Sequence, residues 1–200
     1  MEFLVATNNA HKLQEMQRIL QKMGHKAVSL QQAGIDIDVE ETGKTFAQNA
    51  FLKANEVCKI SGRPTIADDS GLEVDALDGV PGVYSARYAG EGHDDAANRK
   101  QLLQALQNVP QGQRAGRFVS AIALVLPNGA LLEVNGTCEG QIGFEEKGDN
   151  GFGYDCLFYV GEKSFAERTA EEKDAISHRA VALRQLEKAL PDFLLQKNMV

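Results

Sequence analysis

No apolar run in this chain approaches the ~20 residues that a membrane-spanning helix needs, and no membrane partner is expected. The opening Met1-Glu2-Phe3-Leu4-Val5-Ala6 lacks a basic flank and a long apolar stretch. It reads as a first strand and not as a signal peptide. Cysteine is sparse: Cys58, Cys138 and Cys156 are odd in number, widely spaced and without a metal-ligand pattern. That usage fits a reducing, cytoplasmic location and small buried hydrophobes. Positive charge is also short, with Lys+Arg 21 against Asp+Glu 28 and a net charge of −7. A nucleic-acid groove needs a basic footprint, so nucleic acid is not an expected partner. A small phosphate ligand stays open, because helix N-termini, a few local cations or a metal ion can hold one. Long linkers, repeats and low-complexity tracts are missing too. The 200 residues, 43% hydrophobic, suffice for a real core and suggest a single domain over 1–200.

What is present alternates between strand and helix signals. Glu2 to Ala6 reads as a buried strand. Leu13, Met16, Leu20 and Met23 put a helix over His11 to Met23, stopped by Gly24. Thr45 and Gln48 have capping-box spacing at the head of a second helix, Thr45 to Ser61, closed by Gly62. Thr65 to Ala67 reads as a short strand ending in Asp68-Asp69-Ser70-Gly71. A third helix is expected over Asp95 to Leu106. Phe118 to Leu126 and Ala130 to Val134 flank a Pro127-Asn128-Gly129 hairpin signal. A strand over Cys156 to Val160 follows the Gly148 to Gly153 loop. One last helix is expected from near Thr169, capped with Glu172, to about Leu190. The fold class is α/β with a mixed central sheet and flanking helices.

Five polar stretches stand out. Thr7-Asn8-Asn9-Ala10-His11-Lys12 leaves a strand and opens a helix, where free N–H groups and the helix dipole suit phosphate; alternatively Asn8 or Asn9 simply caps the helix. Asp68 and Asp69 sit at a strand's carboxyl end, where ligands bind in open α/β sheets, and should face opposite ways. Gly43-Lys44-Thr45 imitates a P-loop, but Asp38 stands where its first glycine belongs and no buried strand precedes it. Glu40 and Glu41 beside it are oxygen donors of the kind Mg²⁺ prefers, or a solvated charge run. Gly151-Phe152-Gly153-Tyr154-Asp155 places an aromatic between glycines, suited to stacking on a base or to burial in a turn. In the last helix Arg179 falls on the side of Ile176, Leu183, Leu186 and Leu190, and a buried-side arginine requires a partner or ligand.

In this order the stretches ATNNAHKLQE, EETGKTFAQNAFLKA, ADDSGLEVDALDGVPGVYSARYAG, GFGYDCLF and EEKDAISHRAVAL closely resemble the inosine/xanthosine triphosphate pyrophosphatase family. The resemblance spans residues 6 to about 183. It implies an inosine triphosphatase-like fold with two lobes around an active-site cleft, usually as a homodimer. It implies hydrolysis of non-canonical purine nucleoside triphosphates (ITP, dITP, XTP) to monophosphate and pyrophosphate, which cleanses the nucleotide pool. Carried over position by position, Thr7, Asn8, Asn9, Ala10, His11 and Lys12 bind the triphosphate, and Lys53 also reaches phosphate. Glu40 and Asp69 hold Mg²⁺, with Mn²⁺ as a substitute, and Asp69 is the general base. Ser70 and Arg87 line the substrate site. Phe152, Gly153, Tyr154, Asp155, Lys173, His178 and Arg179 surround the base, where donors such as Lys173 and Arg179 favour a 6-oxo over a 6-amino group. Many members have glycine where this chain has Asn9, a residue that tolerates left-handed angles.

Two rivals remain at this level. One is a septum-inhibitor-like pyrophosphatase for pyrimidine or modified nucleotides, whose first loop starts Ser-x-Ser-Pro and carries arginines. The other is a nucleotide-sensing module, against which the set Lys12, Glu40 and Asp69 argues.

Overall fold

The computed structural model describes residues 1–196. Strand β1 (Glu2–Val5) has Phe3, Leu4 and Val5 fully buried. It is flanked on both sides, pairing in parallel with β2 (Lys26–Ser29) and with β3 (Thr65–Val74). Between β1 and β2 runs α1 (Ala10–Lys22), which buries Met16, Ile19 and Leu20. Helix α2 (Phe46–Ser61) follows, with Thr45 accepting from the Gln48 N–H and Gly62, at φ 64°, closing onto Cys58 O. Then come α3 (Asp95–Ala105), β4 (Ala115–Val125), β5 (Leu131–Ile142), β6 (Phe158–Val160), β7 (Lys163–Ser164), α4 (Ala170–Ile176) and α5 (His178–Gln196).

The strands form one seven-stranded sheet in the order β2-β1-β3-β4-β5-β6-β7. It is mixed, since β5, β6 and β7 pair antiparallel. The turn from β4 into β5 is closed by Leu126 N–H to Ala130 O and by Gly129 N–H to Leu126 O, as Pro127-Asn128-Gly129 suggested.

The chain divides into two compact units. The first comprises Met1–Asp69, Ser120–Gly136 and the chain from His178 on. Its core joins Phe3 and Val5 of β1, Met16 and Leu20 of α1, Ile122 and Leu124 of β4, and Leu183, Leu186 and Leu190 of α5. The second comprises Ser70–Val119 and Thr137–Ser177. Its core holds Leu72, Leu102, Leu106, Leu157 and the aromatic trio Phe118, Phe158 and Phe165, whose ring centroids lie 4.7 to 5.9 Å apart.

Five points differ from the sequence reading. Strand β3 does not end in Asp68-Asp69-Ser70-Gly71 but runs on to Val74, and both carboxylates are buried within it against cations, as buried charge requires. The last helix is two helices. Ser177, with an extended ψ of 151°, separates α4 from α5, so Ile176 packs in the second core while Leu183 and Leu186 pack in the first. Strand β2 went unread, and β5 is longer than Ala130 to Val134. Cys156 is only half-buried, unlike Cys58 and Cys138.

Candidate functional site

Asp68 and Asp69 are consecutive in β3, so their side chains project to opposite faces, and each meets its own set of cations. Asp68 is fully buried. It accepts from Ser120 Oγ, receives Arg179 Nη2 at 3.1 Å and lies 3.2 Å from Lys12 Nζ. Arg179 Nη1 also donates to Glu15, which is buried on α1. Burial alone would raise the Asp68 carboxyl, but Arg179, Lys12 and the Ser120 hydroxyl outweigh it and hold the group far below the usual carboxylate range. Arg179 is likewise held charged: Asp68 and Glu15 overcome the desolvation of its guanidinium.

Asp69 faces α2. Asn49 Nδ2 donates to it at 3.2 Å, and Lys53 Nζ, one helical turn on, donates at 3.2 Å. Lys53 also pairs with Glu41 at 2.5 Å. The other end of Asn49 accepts from Gly43 N–H at 2.8 Å and so ties the Glu41 loop to α2. A Cβ on Gly43 would stand 2.5 Å from that Asn49 oxygen, which accounts for glycine there. Burial pushes the Asp69 carboxyl up, with Lys53 and Lys12 opposing and Glu41 and Asp68 adding to the rise. Burial lowers the Lys12 ammonium, with Lys53 and Arg179 contributing. For Lys53 burial acts the same way, but Asp69 and Glu41 prevail and the pKa rises. The first unit thus holds a largely buried cluster of cations around two carboxylates, one held in its charged form and one raised.

The first loop is ordered by its own side chains. Asn9 caps α1, accepting from Lys12 N–H, with φ −80° and ψ 110°. Its backbone is extended, so capping, not left-handed tolerance, accounts for asparagine here. Thr7 Oγ1 accepts from Asn9 N–H, and Asn8 donates to Ile37 O at 3.0 Å. Ala10 and His11 are exposed at the helix start.

In the second unit Asp155 and Lys173 are buried and paired at 2.6 Å. Asp155 Oδ2 also accepts from Phe152 N–H at 2.9 Å, and Lys173 Nζ lies 5.0 Å from the Phe152 ring centre. Tyr154 is buried and donates to Ser85 O. Burial raises its hydroxyl pKa, so it stays a neutral donor. Arg87 ends a 3₁₀ segment, Gly82–Arg87, and lies 5.3 Å from the Tyr84 ring centre.

Of the residues expected from sequence, Lys12, Lys53, Asp69, His178 and Arg179 fall in the first unit, as does Glu40. Ser70, Arg87, Phe152, Gly153, Tyr154, Asp155 and Lys173 fall in the second. Glu40 is exposed, and the ion pair that joins its loop to the Asp69 cluster runs through Glu41. Sequence reasoning missed Glu15, Asn49 and Ser120. Asn49 carried a usable signal, standing four residues before Lys53 and hence on the same helix face. Glu15 and Ser120 carried none apart from polarity among apolar neighbours.

Comparison with known proteins gives the family of the chain. The model of the Ham1 family matches residues 3–189. The dITP/XTP pyrophosphatase of Exiguobacterium sibiricum is 52% identical over 196 residues, 97% of this chain and 99% of that protein. The dITP/XTP pyrophosphatase of Clostridium perfringens is 48% identical over 201 residues, covering 96% and 98%. Among solved structures, the Ham1 protein of Staphylococcus aureus superposes with TM-score 0.83 at 41% identity, covering 96% of this chain and 99% of that one. The HAM1 protein of Coxiella burnetii gives 0.85 at 42%, covering 96% and 99%.

Proposed function

The chain belongs to the Ham1 family, and from that premise we propose that it hydrolyses inosine- and xanthosine-type nucleoside triphosphates to monophosphate and pyrophosphate. The observation that supports this best is one buried cluster in which Lys53 lies 3.2 Å from Asp69 while Lys12 lies 3.2 Å from the adjacent Asp68. Attack of water at the α-phosphorus requires a base, an aligned triphosphate and neutralised negative charge. Asp69, whose pKa is raised, is a stronger proton acceptor than an ordinary aspartate, and general-base help is worth about 10²–10⁴-fold. Lys12, Lys53 and the N-terminus of α1 take the phosphates. Asp68 keeps Lys12 in place and compensates its charge. The base is assigned to the loop Phe152–Asp155 with Lys173, which pairs with Asp155.

The donor set suits a divalent cation. Lys53 draws the carboxylates of Asp69 and Glu41 to one ammonium, and Glu40 is the exposed neighbour of Glu41. Mg²⁺ needs only one or two carboxylates beside substrate phosphates and water. Asp69 and Glu40 would hold it, and when bound it supplies charge neutralisation on the triphosphate. A homodimer in the reducing cytoplasm completes the proposal, supported by the family resemblance and by cysteines without disulfides.

The test is incubation with inosine triphosphate and Mg²⁺ with detection of pyrophosphate. Release of orthophosphate instead, or equal turnover of adenosine triphosphate, would refute the reading. Excess chelator should abolish activity, and full activity in chelator would remove the metal from the scheme.

A further inference from the structure

Helix α3 has no role in the scheme so far, yet its side chains hold the backbone of the loop assigned to the base. Asp94 caps α3, accepting from Ala96 and Ala97 N–H, which leaves the next carboxylate for another task. Asp95 Oδ2 accepts from Gly153 N–H at 2.8 Å. Arg99, four residues on and therefore on the same face, donates from Nη1 to Gly153 O at 3.1 Å. The Gly153 residue is thus held at both its polar groups by one helix. Arg99 is itself fixed from the far side by Glu146, 2.8 Å from Nε. Gly153 has φ 61°, a left-handed conformation that an unanchored glycine leaves readily. Phe152 and Tyr154, the two aromatics of the loop, flank this residue. Between Asp95 and Arg99, Asn98 is buried and donates to Ala86 O at 3.1 Å while accepting from Ala89 N–H at 2.6 Å, on either side of Arg87.

We propose that α3 is the positioning element for base recognition, with Asp95 and Arg99 presetting the Phe152–Tyr154 loop before substrate arrives. The inference rests on the reading that this loop takes the base. A loop fixed in advance has less freedom to lose on binding, so affinity rises, and a wrong base cannot be accommodated by a shift of the loop. Asp95 and Arg99 touch no reacting atom in this scheme. Their loss should therefore act on binding and selectivity, while the chemistry at Asp69 is kept.

The experiment compares Arg99→Ala and Asp95→Ala with the wild-type enzyme on inosine and adenosine triphosphates, and follows the Gly153 amide by hydrogen exchange. Arg117→Ala serves as control, since it removes an arginine paired with Glu139 and Asp75 and not with this loop. Each loop variant should raise KM for inosine triphosphate about tenfold and change kcat by no more than about twofold. The preference over adenosine triphosphate should narrow, Asp95→Ala should speed exchange at Gly153, and Arg99→Lys should recover part of the loss. Asp95 is exposed in the first turn of α3, so its variant stays informative if Arg99→Ala fails to fold. Unchanged KM and unchanged preference in Asp95→Ala, with pyrophosphate still released, overturn the inference alone. A wild-type enzyme that releases no pyrophosphate from inosine triphosphate overturns the functional reading and the inference together.

Discussion

At the scale of single residues, the neighbours Asp68 and Asp69 show how environment divides one chemistry into two roles. Asp69→Asn should preserve the fold and lower turnover by about 10²-fold or more, the loss expected for a general base; retention of a tenth of wild-type kcat would exclude it. Arg179 was expected from sequence to read the base. Its guanidinium donates to Glu15 and Asp68, so its removal strands two buried carboxylates. Arg179→Ala should cost about 3–5 kcal/mol of stability, as removal of one partner of a buried pair does. Denaturant unfolding measures this directly, and a loss under 1 kcal/mol would mean that the carboxylates find other partners (a threshold about equal to an exposed pair). Burial of Arg179 was legible because Leu183, Leu186 and Leu190 set the phase of α5. Its partners were not, since Glu15 and Asp68 lie 164 and 111 residues away and no local pattern encodes such distances.

Among elements, caps and turns were the most legible features, because they depend on neighbours in sequence. Thr169 and Glu172 form the complete reciprocal box at the start of α4. At α2 only half of it forms, because Gln48 turns to Lys44 N–H. The break at Ser177 was invisible, since two amphipathic stripes facing different cores follow one another without a glycine or proline between them. The loop before β6 makes a sharper demand. Gly151 has φ 77°, and a Cβ there would stand 2.0 Å from Asp155 Oδ2. Gly151→Ala should therefore break the Asp155 bonds to Phe152 N–H and Lys173. The combination of left-handed strain and a disrupted buried pair should cost about 2–4 kcal/mol. Selectivity for the base should fall with it. A thermal midpoint equal to wild type would show that the loop can relax around the methyl group.

For the whole molecule, the pH dependence of stability follows from opposite shifts at adjacent residues. The Asp68 pKa is lowered on folding from an ordinary 3.8, so its stabilisation is complete above the usual carboxylate range. It is lost as pH falls toward the folded value. The Asp69 pKa is raised, so folding favours its protonated form, and that contribution fades as pH climbs past the ordinary range. Asp68→Asn should flatten the acid limb of the stability curve, and Asp69→Asn should leave that limb in place. Urea titrations from pH 3 to 8 (about the span of carboxylate effects) would show both, and parallel curves for wild type and Asp68→Asn would contradict the assignment. The fold class was legible because strands and helices alternate with clear periods. The division into two units was not, for the chain leaves the first at Asp69, within β3, and returns for good only at His178. That path has a consequence for synthesis on the ribosome. Phe3 and Val5 are made before the second unit, but the α5 residues that share their core are made after it. At ~5–20 residues per second, the second unit has all its residues well before the first does. Strand β1 therefore has its α1 neighbours early, while the α5 side of its core arrives only after the second unit has been made.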